Sequence, residues 1–203
     1  MVGIIDYGVG NLFSLCSSLK ALGLEAEVTS SPDKLRASDR IILPGVGAFG
    51  DARQKLEETG LVPLLREEAE KKPFLGICLG MQLLFEKSCE YGEHEGLGFV
   101  AGEVVDLRED LTDKTLKVPH MGWNSLRIKA DDPIFKYFKD GEYVYYVHSF
   151  YGRKCGESTL ATSQYGNVAV TGVVKSGRVY GTQFHPEKSG EAGLRLLKAF
   201  AEL

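Results

Sequence analysis

Positive charge is in short supply in this chain: 24 Lys and Arg stand against 28 Asp and Glu, giving a formal net charge of −4. No basic run with interleaved aromatics occurs either. Nucleic-acid affinity rests on clustered Lys and Arg, so a nucleic-acid partner is not expected. Long apolar runs are missing as well, and none approaches the roughly 20 residues a membrane-spanning helix needs. The start, Met1-Val2-Gly3-Ile4-Ile5-Asp6, lacks the charged beginning, long apolar stretch and small-residue cleavage site of a signal peptide. Cysteine is sparse, and Cys16, Cys78, Cys89 and Cys155 show neither CxxC nor Cys/His metal spacing. No metal and no cofactor are expected, and reduced thiols in the cytoplasm are the simplest account. Cys16, Cys89 and Cys155 read as structural or incidental, since small buried thiols behave as hydrophobes. Linkers, low-complexity segments and internal repeats are also absent. One domain over residues 1–203 is expected, with 43% hydrophobic and 26% charged residues enough to bury a core.

What is present is a strong alternation. Gly3 to Asp6 is a short apolar strand, followed by Leu12, Leu15, Leu19 and Leu22 at helical spacing up to Gly23, a C-cap. Glu25 to Val28 and Arg40 to Leu43 are the next strands, with helices from about 51 to 58 and from 62 to 71. Phe74 to Ile77 is a strand, and Leu79 to Glu86 a helix straight after it. This pattern predicts a three-layer α/β fold, with a mostly parallel central sheet and helices on both faces. After about Glu90 the segments Gly98–Leu107, Thr115–Ile128, Tyr143–Tyr151, Thr159–Tyr165 and Val168–Thr182 are rich in Val, Thr and Tyr. They predict mixed or antiparallel strands added to the sheet, with a hairpin turn at Lys175-Ser176-Gly177-Arg178. A last helix is expected from about Gly190 to Leu203.

The chemistry gathers at two places. Cys78, between Gly76 and Gly80, sits where a strand meets a helix. A sharp turn there exposes a sulfur, and a helix start with a nearby histidine favours the thiolate. The same pattern is compatible with a buried core cysteine beside packing glycines. His185 and Glu187 shift the balance. If Gln183 to Glu187 is extended, positions two apart project to one side, and the carboxylate can orient and charge-stabilise the imidazole. Thiol, base and acid together make a nucleophilic acyl-transfer site. The loops Asp6-Tyr7-Gly8 and Pro44-Gly45-Val46-Gly47 both follow strands. They are therefore expected at the C-terminal edge of the sheet. Gly45, Val46 and Gly47, with the amide of Leu79, could form an oxyanion hole. Neither loop carries a dinucleotide fingerprint or a Gly-Lys-Ser/Thr phosphate loop.

Gly76-Ile77-Cys78-Leu79-Gly80-Met81-Gln82 with His185-Pro186-Glu187 resembles the class I (triad) glutamine amidotransferase family, whose fold is flavodoxin-like. Asp6-Tyr7-Gly8-Val9-Gly10-Asn11 and Pro119-His120-Met121-Gly122-Trp123-Asn124 narrow the resemblance. They point to the branch of glutaminase subunits serving imidazole glycerol phosphate synthases in histidine biosynthesis. The likeness covers almost the whole chain, in family order. It implies that Cys78 attacks the carboxamide of glutamine while His185 shuttles the proton. Ammonia then leaves from a glutamyl thioester that water hydrolyses. By the same resemblance, Gln82 with the Ser149 and Phe150 backbone holds the substrate's α-amino and carboxylate groups. The implied partner is a (β/α)8-barrel cyclase subunit that forms a heterodimer, receives the ammonia and makes imidazole glycerol phosphate and AICAR. Pro119, Met121, Trp123, Asn124 and Tyr143 would face it, although sheet or core packing explains the aromatic residues equally well. The 44–47 loop is expected to be misaligned until that partner binds. Glutaminases serving synthetases for GMP, anthranilate or CTP share the triad; Met81 and the short chain argue against them. An intact triad argues against a purely binding role. His120 and His148 read as structural.

Overall fold

The computed structural model describes residues 1–203. Four short apolar strands, β1 (Val2–Ile5), β2 (Ala26–Thr29), β3 (Arg40–Leu43) and β4 (Phe74–Ile77), run parallel in the order β2-β1-β3-β4. Their crossovers are α1 (Leu12–Ala21), α2 (Pro32–Ala37), and the pair α3 (Phe49–Glu58) and α4 (Val62–Lys71). Alternate residues feed two different cores, as the period of a strand dictates. Ile4, Ile42, Leu75 and Ile77 meet Leu15 and Leu19 of α1, together with Leu196, Leu197 and Phe200 of α7 (Gly190–Ala201). Ile5, Ile41, Leu43 and Phe74 meet Leu35, Phe49, Leu56 and Leu65 on the opposite face. Three layers result.

Beyond β4 the sheet gains one more parallel strand from the far end of the chain, β14 (Val179–Thr182), with Thr182 opposite Ile77. It then turns antiparallel through β13 (Val168–Ser176), β12 (Thr159–Tyr165) and β9 (Arg127–Ile128), for eight strands in all. Gly177 and Arg178 close the expected β13–β14 hairpin, with φ 58° at Gly177.

Four expectations need correction. The helix after Cys78 is only α5 (Leu79–Leu83); Phe85 already begins β5 (Phe85–Ser88), which pairs with β7 (Val100–Asp106). An apolar run such as Leu83-Leu84-Phe85 suits either state, and distant pairing decides it. Nor do all the later strands join the central sheet. β5 and β7 belong to a separate four-stranded sheet with β6 (His94–Glu95) and β11 (Phe150–Arg153). β8 (His120–Ser125) and β10 (Tyr143–His148) form their own antiparallel ribbon. The chain passes from ribbon to sheet at Ser149, so Tyr143–Tyr151 is two strands. Thr115–Val118 is not a strand either, since Asp113 takes the amide and hydroxyl of Thr115 into a local turn. Two short helices, α2 and α6 (Leu107–Asp110), were not anticipated from sequence.

The glycines beside Cys78 act through space. A Cβ at Gly80 would lie 1.9 Å from the Leu43 carbonyl oxygen, and one at Gly76 would lie 2.6 Å from the Gly80 carbonyl oxygen. Backbone atoms cannot step aside as a flexible side chain would. Gly80→Ala is therefore expected to cost about 3 kcal/mol. Urea denaturation checks this; an unchanged midpoint would show that α5 and β3 have room to separate.

Candidate active site

Parallel strand direction puts the ends of β1, β3, β4 and β14 on one edge, and the reactive groups follow from those ends. Cys78 lies directly after β4 in the left-handed region, at φ 54° and ψ −110°. A non-glycine residue there costs on the order of 1–3 kcal/mol and persists only when its surroundings hold it. Here two backbone bonds do so. Cys78 N–H donates to the Thr182 carbonyl at 2.7 Å, and Gln82 N–H donates to the Cys78 carbonyl at 3.1 Å. The elbow is thus tied to β14 on one side and α5 on the other.

His185 comes three residues after β14, held by its own N–H donating to the Tyr145 carbonyl of β10 at 3.0 Å. The segment is not extended as expected. Pro186–Lys188 forms a single 3-10 turn, and that turn, not strand alternation, folds the Glu187 carboxylate back onto the ring. Glu187 Oε1 lies 2.7 Å from His185 Nδ1, both side chains being buried. Its other oxygen is buried without a partner, so His185 is the carboxylate's principal polar contact. With Nδ1 committed, Nε2 is left for the Cys78 sulfur. Burial by itself would push the imidazole down, but hydrogen bonds to Cys78 and Glu187 outweigh it and hold it up at about 9.

These groups open on a cavity of about 340 Å³ whose lining includes Val46, Gly47, Leu79, Gln82, Ser149 and Phe150. Gly47 has φ 98°, and the buried Tyr7 hydroxyl donates to the Pro44 carbonyl at 2.7 Å, linking the loops after β1 and β3. Gly45 is not in the cavity wall. It packs on α5, where a Cβ would lie 2.6 Å from Gly80 N. Leu79 N–H belongs to the first turn of α5, where no helical carbonyl is available to it. Gln82 Nε2 donates to the Phe150 carbonyl at 2.9 Å and to Gln183 Oε1 at 3.1 Å. Both hydrogens are spent, so Oε1 is its uncommitted atom.

Two polar groups near the sulfur and its cavity escaped the sequence reading. Gln183, completely buried, turns its Nε2 toward Cys78 Sγ at 3.8 Å. It stood in the quoted motif, but nothing in the motif says what its amide faces. Glu90 lines the cavity, accepting from Phe49 N–H at 2.7 Å, and burial pushes its carboxyl up. An isolated Glu after a strand carries no local signal. A wider hollow of about 810 Å³ next door shares Glu90 but contains neither sulfur nor His185, so it is not the reaction site.

The residues expected at an interface lie mostly outside the cavity. Met121, Trp123 and Tyr143 are 61%, 55% and 60% exposed along the β8–β10 ribbon. On this ribbon Met121 stands opposite Val147 and Trp123 opposite Tyr145. Pro119 is exposed and also touches the cavity rim, while Asn124 is half-buried. His120 and His148 are buried and hydrogen-bonded to each other. No group of His, Cys, Asp and Glu is placed to hold a metal, and no helix is long and apolar enough to cross a membrane.

The elbow sulfur, the carboxylate-paired imidazole and the cavity thus meet at one edge of the sheet. A family-wide sequence model, glutamine amidotransferase class-I, matches residues 3–202, and the chain belongs to that family. Within it, the matches lie with the imidazole glycerol phosphate synthase subunits HisH. The chain is 50% identical to the one from Caldanaerobacter subterraneus, over all of this chain and 98% of that one. It is 46% identical to the one from Wolinella succinogenes, over the whole of both. Among solved structures, a glutamine amidotransferase superposes with a TM-score of 0.74 at 22% identity, covering 99% of this chain and 97% of that one. The structure of PurLQS from Thermotoga maritima gives 0.77 at 21% identity, covering 99% and 97% of the two chains. At those identities the superpositions speak for the fold alone, and it is the class I amidotransferase fold.

Proposed function

We propose that this chain is the glutaminase subunit of an imidazole glycerol phosphate synthase, acting through a Cys78-His185-Glu187 triad. The carrying observation is the meeting of elbow sulfur and Glu187-paired imidazole at one cavity. His185, charged at neutral pH, holds the proton while the Cys78 sulfur acts as nucleophile. The sulfur attacks the carboxamide carbon of glutamine, and the C=O π electrons move onto oxygen. Leu79 N–H and the Val46–Gly47 amides stabilise that oxyanion. As the tetrahedral adduct collapses, the C–N bond breaks and His185 Nε2 protonates the leaving nitrogen, giving ammonia and a glutamyl thioester. His185, now neutral, takes a proton from water as its oxygen attacks the thioester. Glutamate leaves and the thiolate–imidazolium pair is restored. Glu187 keeps the imidazole oriented throughout.

Gln82 Oε1 and the Glu90 carboxylate are the acceptors that suit the substrate's α-ammonium, and the Ser149–Phe150 backbone suits its carboxylate. Ammonia passes to a (β/α)8-barrel cyclase subunit docked on the β8–β10 ribbon. Residues 1–203 work as one glutaminase domain, and four free cysteines fit the reducing cytoplasm. The test is glutamate release measured with and without the barrel subunit and its nucleotide ligand. Turnover is expected with the complete set and to be weak for the chain alone. No turnover in the complex, or binding only to a different synthetase, would overturn the assignment.

The protonated form of His185 has to serve the first step, so kcat/KM is expected to fall as pH rises through about 9. Glu187→Gln removes one of the contacts that raise the imidazole. It should lower kcat roughly a hundredfold or more and move the alkaline limb to lower pH. A limb that stays in place would mean Glu187 does not set the charge of His185.

A further inference from the structure

A line of buried polar groups runs from the exposed ribbon to the cavity wall. Asn124 of β8 accepts from Ser125 N–H through Oδ1 at 2.8 Å, which fixes the orientation of its amide. Its Nδ2 then donates both hydrogens, to the Gln164 carbonyl at 2.9 Å and to His120 Nε2 at 3.1 Å. An imidazole that accepts at Nε2 must, when neutral, carry its hydrogen on Nδ1. His120 Nδ1 lies 2.9 Å from His148 Nε2, so the same logic passes to the second ring. His148 Nδ1 lies 2.8 Å from the Phe150 carbonyl, which can only accept. The two ends agree. Asn124 can only donate at one and a carbonyl can only accept at the other, so every bond in the series points the same way.

We propose that His120 and His148 are positioning residues for glutamine binding, locked as neutral Nδ1–H tautomers in a one-way hydrogen-bond relay from Asn124 to the Phe150 carbonyl. The relay's far end also receives Gln82 Nε2, so a displaced Phe150 carbonyl releases the side chain whose Oε1 faces the substrate. Its near end shares β8 with the exposed Met121 and Trp123. Movement of that ribbon is thereby handed to the wall of the cavity and not to the sulfur directly. Burial holds both rings below the ordinary imidazole range, in keeping with two neutral histidines. The kinetic consequence rests on the glutaminase reading above; the tautomers do not.

Two measurements test this. Nitrogen-15 spectra of the histidine-labelled full chain at neutral pH should show both rings neutral with hydrogen on Nδ1, against the usual preference for Nε2–H in water. Nε2–H at either ring, or a charged ring, overturns the relay. In the assembled enzyme, His148→Asn keeps an amide donor where Nδ1 was, and His148→Gln places its amide where Nε2 was. The Asn variant should bind glutamine nearly as the parent does. The Gln variant should raise KM about tenfold with a smaller change in kcat, the size of one lost hydrogen bond. Equal KM values for the two variants, or the reverse order, overturn the positioning role. A role in packing alone would not rank them by which nitrogen is replaced. If the parent enzyme has no glutaminase activity, the glutaminase reading fails, and the spectra still decide the relay.

Discussion

Cys78→Ala is expected to reduce glutamine turnover at least ~10⁴-fold while leaving the fold and partner binding intact. The Cys78 sulfur is the one thiol in the cavity lining, and Cys16, Cys89 and Cys155 are not among the residues that line it. Alanine keeps the Cβ and the two backbone bonds that hold the elbow at φ 54°. What it loses is the long contact from Gln183 Nε2, together with the hydrogen bond that helps raise His185. The imidazole should therefore titrate lower in the variant. Glutamate release, pull-down of the barrel subunit and a histidine titration together check the prediction. Undiminished turnover would sink the covalent mechanism, whatever the other two showed.

The second large effect is on acid stability. Burial holds His120 at about 4, and burial with the neighbouring His120 holds His148 at about 3. Both folded values lie below the unfolded one, so the unfolded chain takes up protons first as pH falls. The stability is full above the unfolded value of about 6.5 and is lost on the way down toward the folded values. Between about pH 7 and about pH 5 the pair should cost about 4 kcal/mol, since each pH unit below the unfolded value is worth about 1.4 kcal/mol per group. Denaturation curves of the parent and of a His120→Asn/His148→Asn double variant would separate this from carboxylate titration. Identical pH slopes would show that the two imidazoles are not kept neutral in the folded chain.

How far the sequence carried the reading depends on distance along the chain. β3 and β4 were legible to the residue, because Arg40–Leu43 and Phe74–Ile77 are apolar runs bounded by charge, Pro or the elbow. Strands buried on both faces leave that kind of mark. The later strands left a weaker one. Phe85 could be assigned to a strand, and Tyr151 to a different strand from Tyr143, only with their partners Val100 and Val105 in view, 15 or more positions away. In the candidate site, Cys78 stood out between two glycines at the end of a strand, and His185 with Glu187 as a base and an acid two positions apart. The geometry joining the last two was not legible: Pro186 begins a turn where an extended segment was expected. Glu90 and Gln183 were silent, for a carboxylate and an amide reveal their use only through what they face.

The register of β14 on β4 also constrains when the enzyme can exist during synthesis. The Cys78 amide is held by Thr182, and the imidazole arrives at residue 185 of 203. Translation makes the thiol well before its base, so a nascent chain carries the sulfur for a long stretch of synthesis with neither elbow nor histidine in place. Under the glutaminase role proposed above, no ammonia would be released until β14 has paired with β4 and set both groups in place.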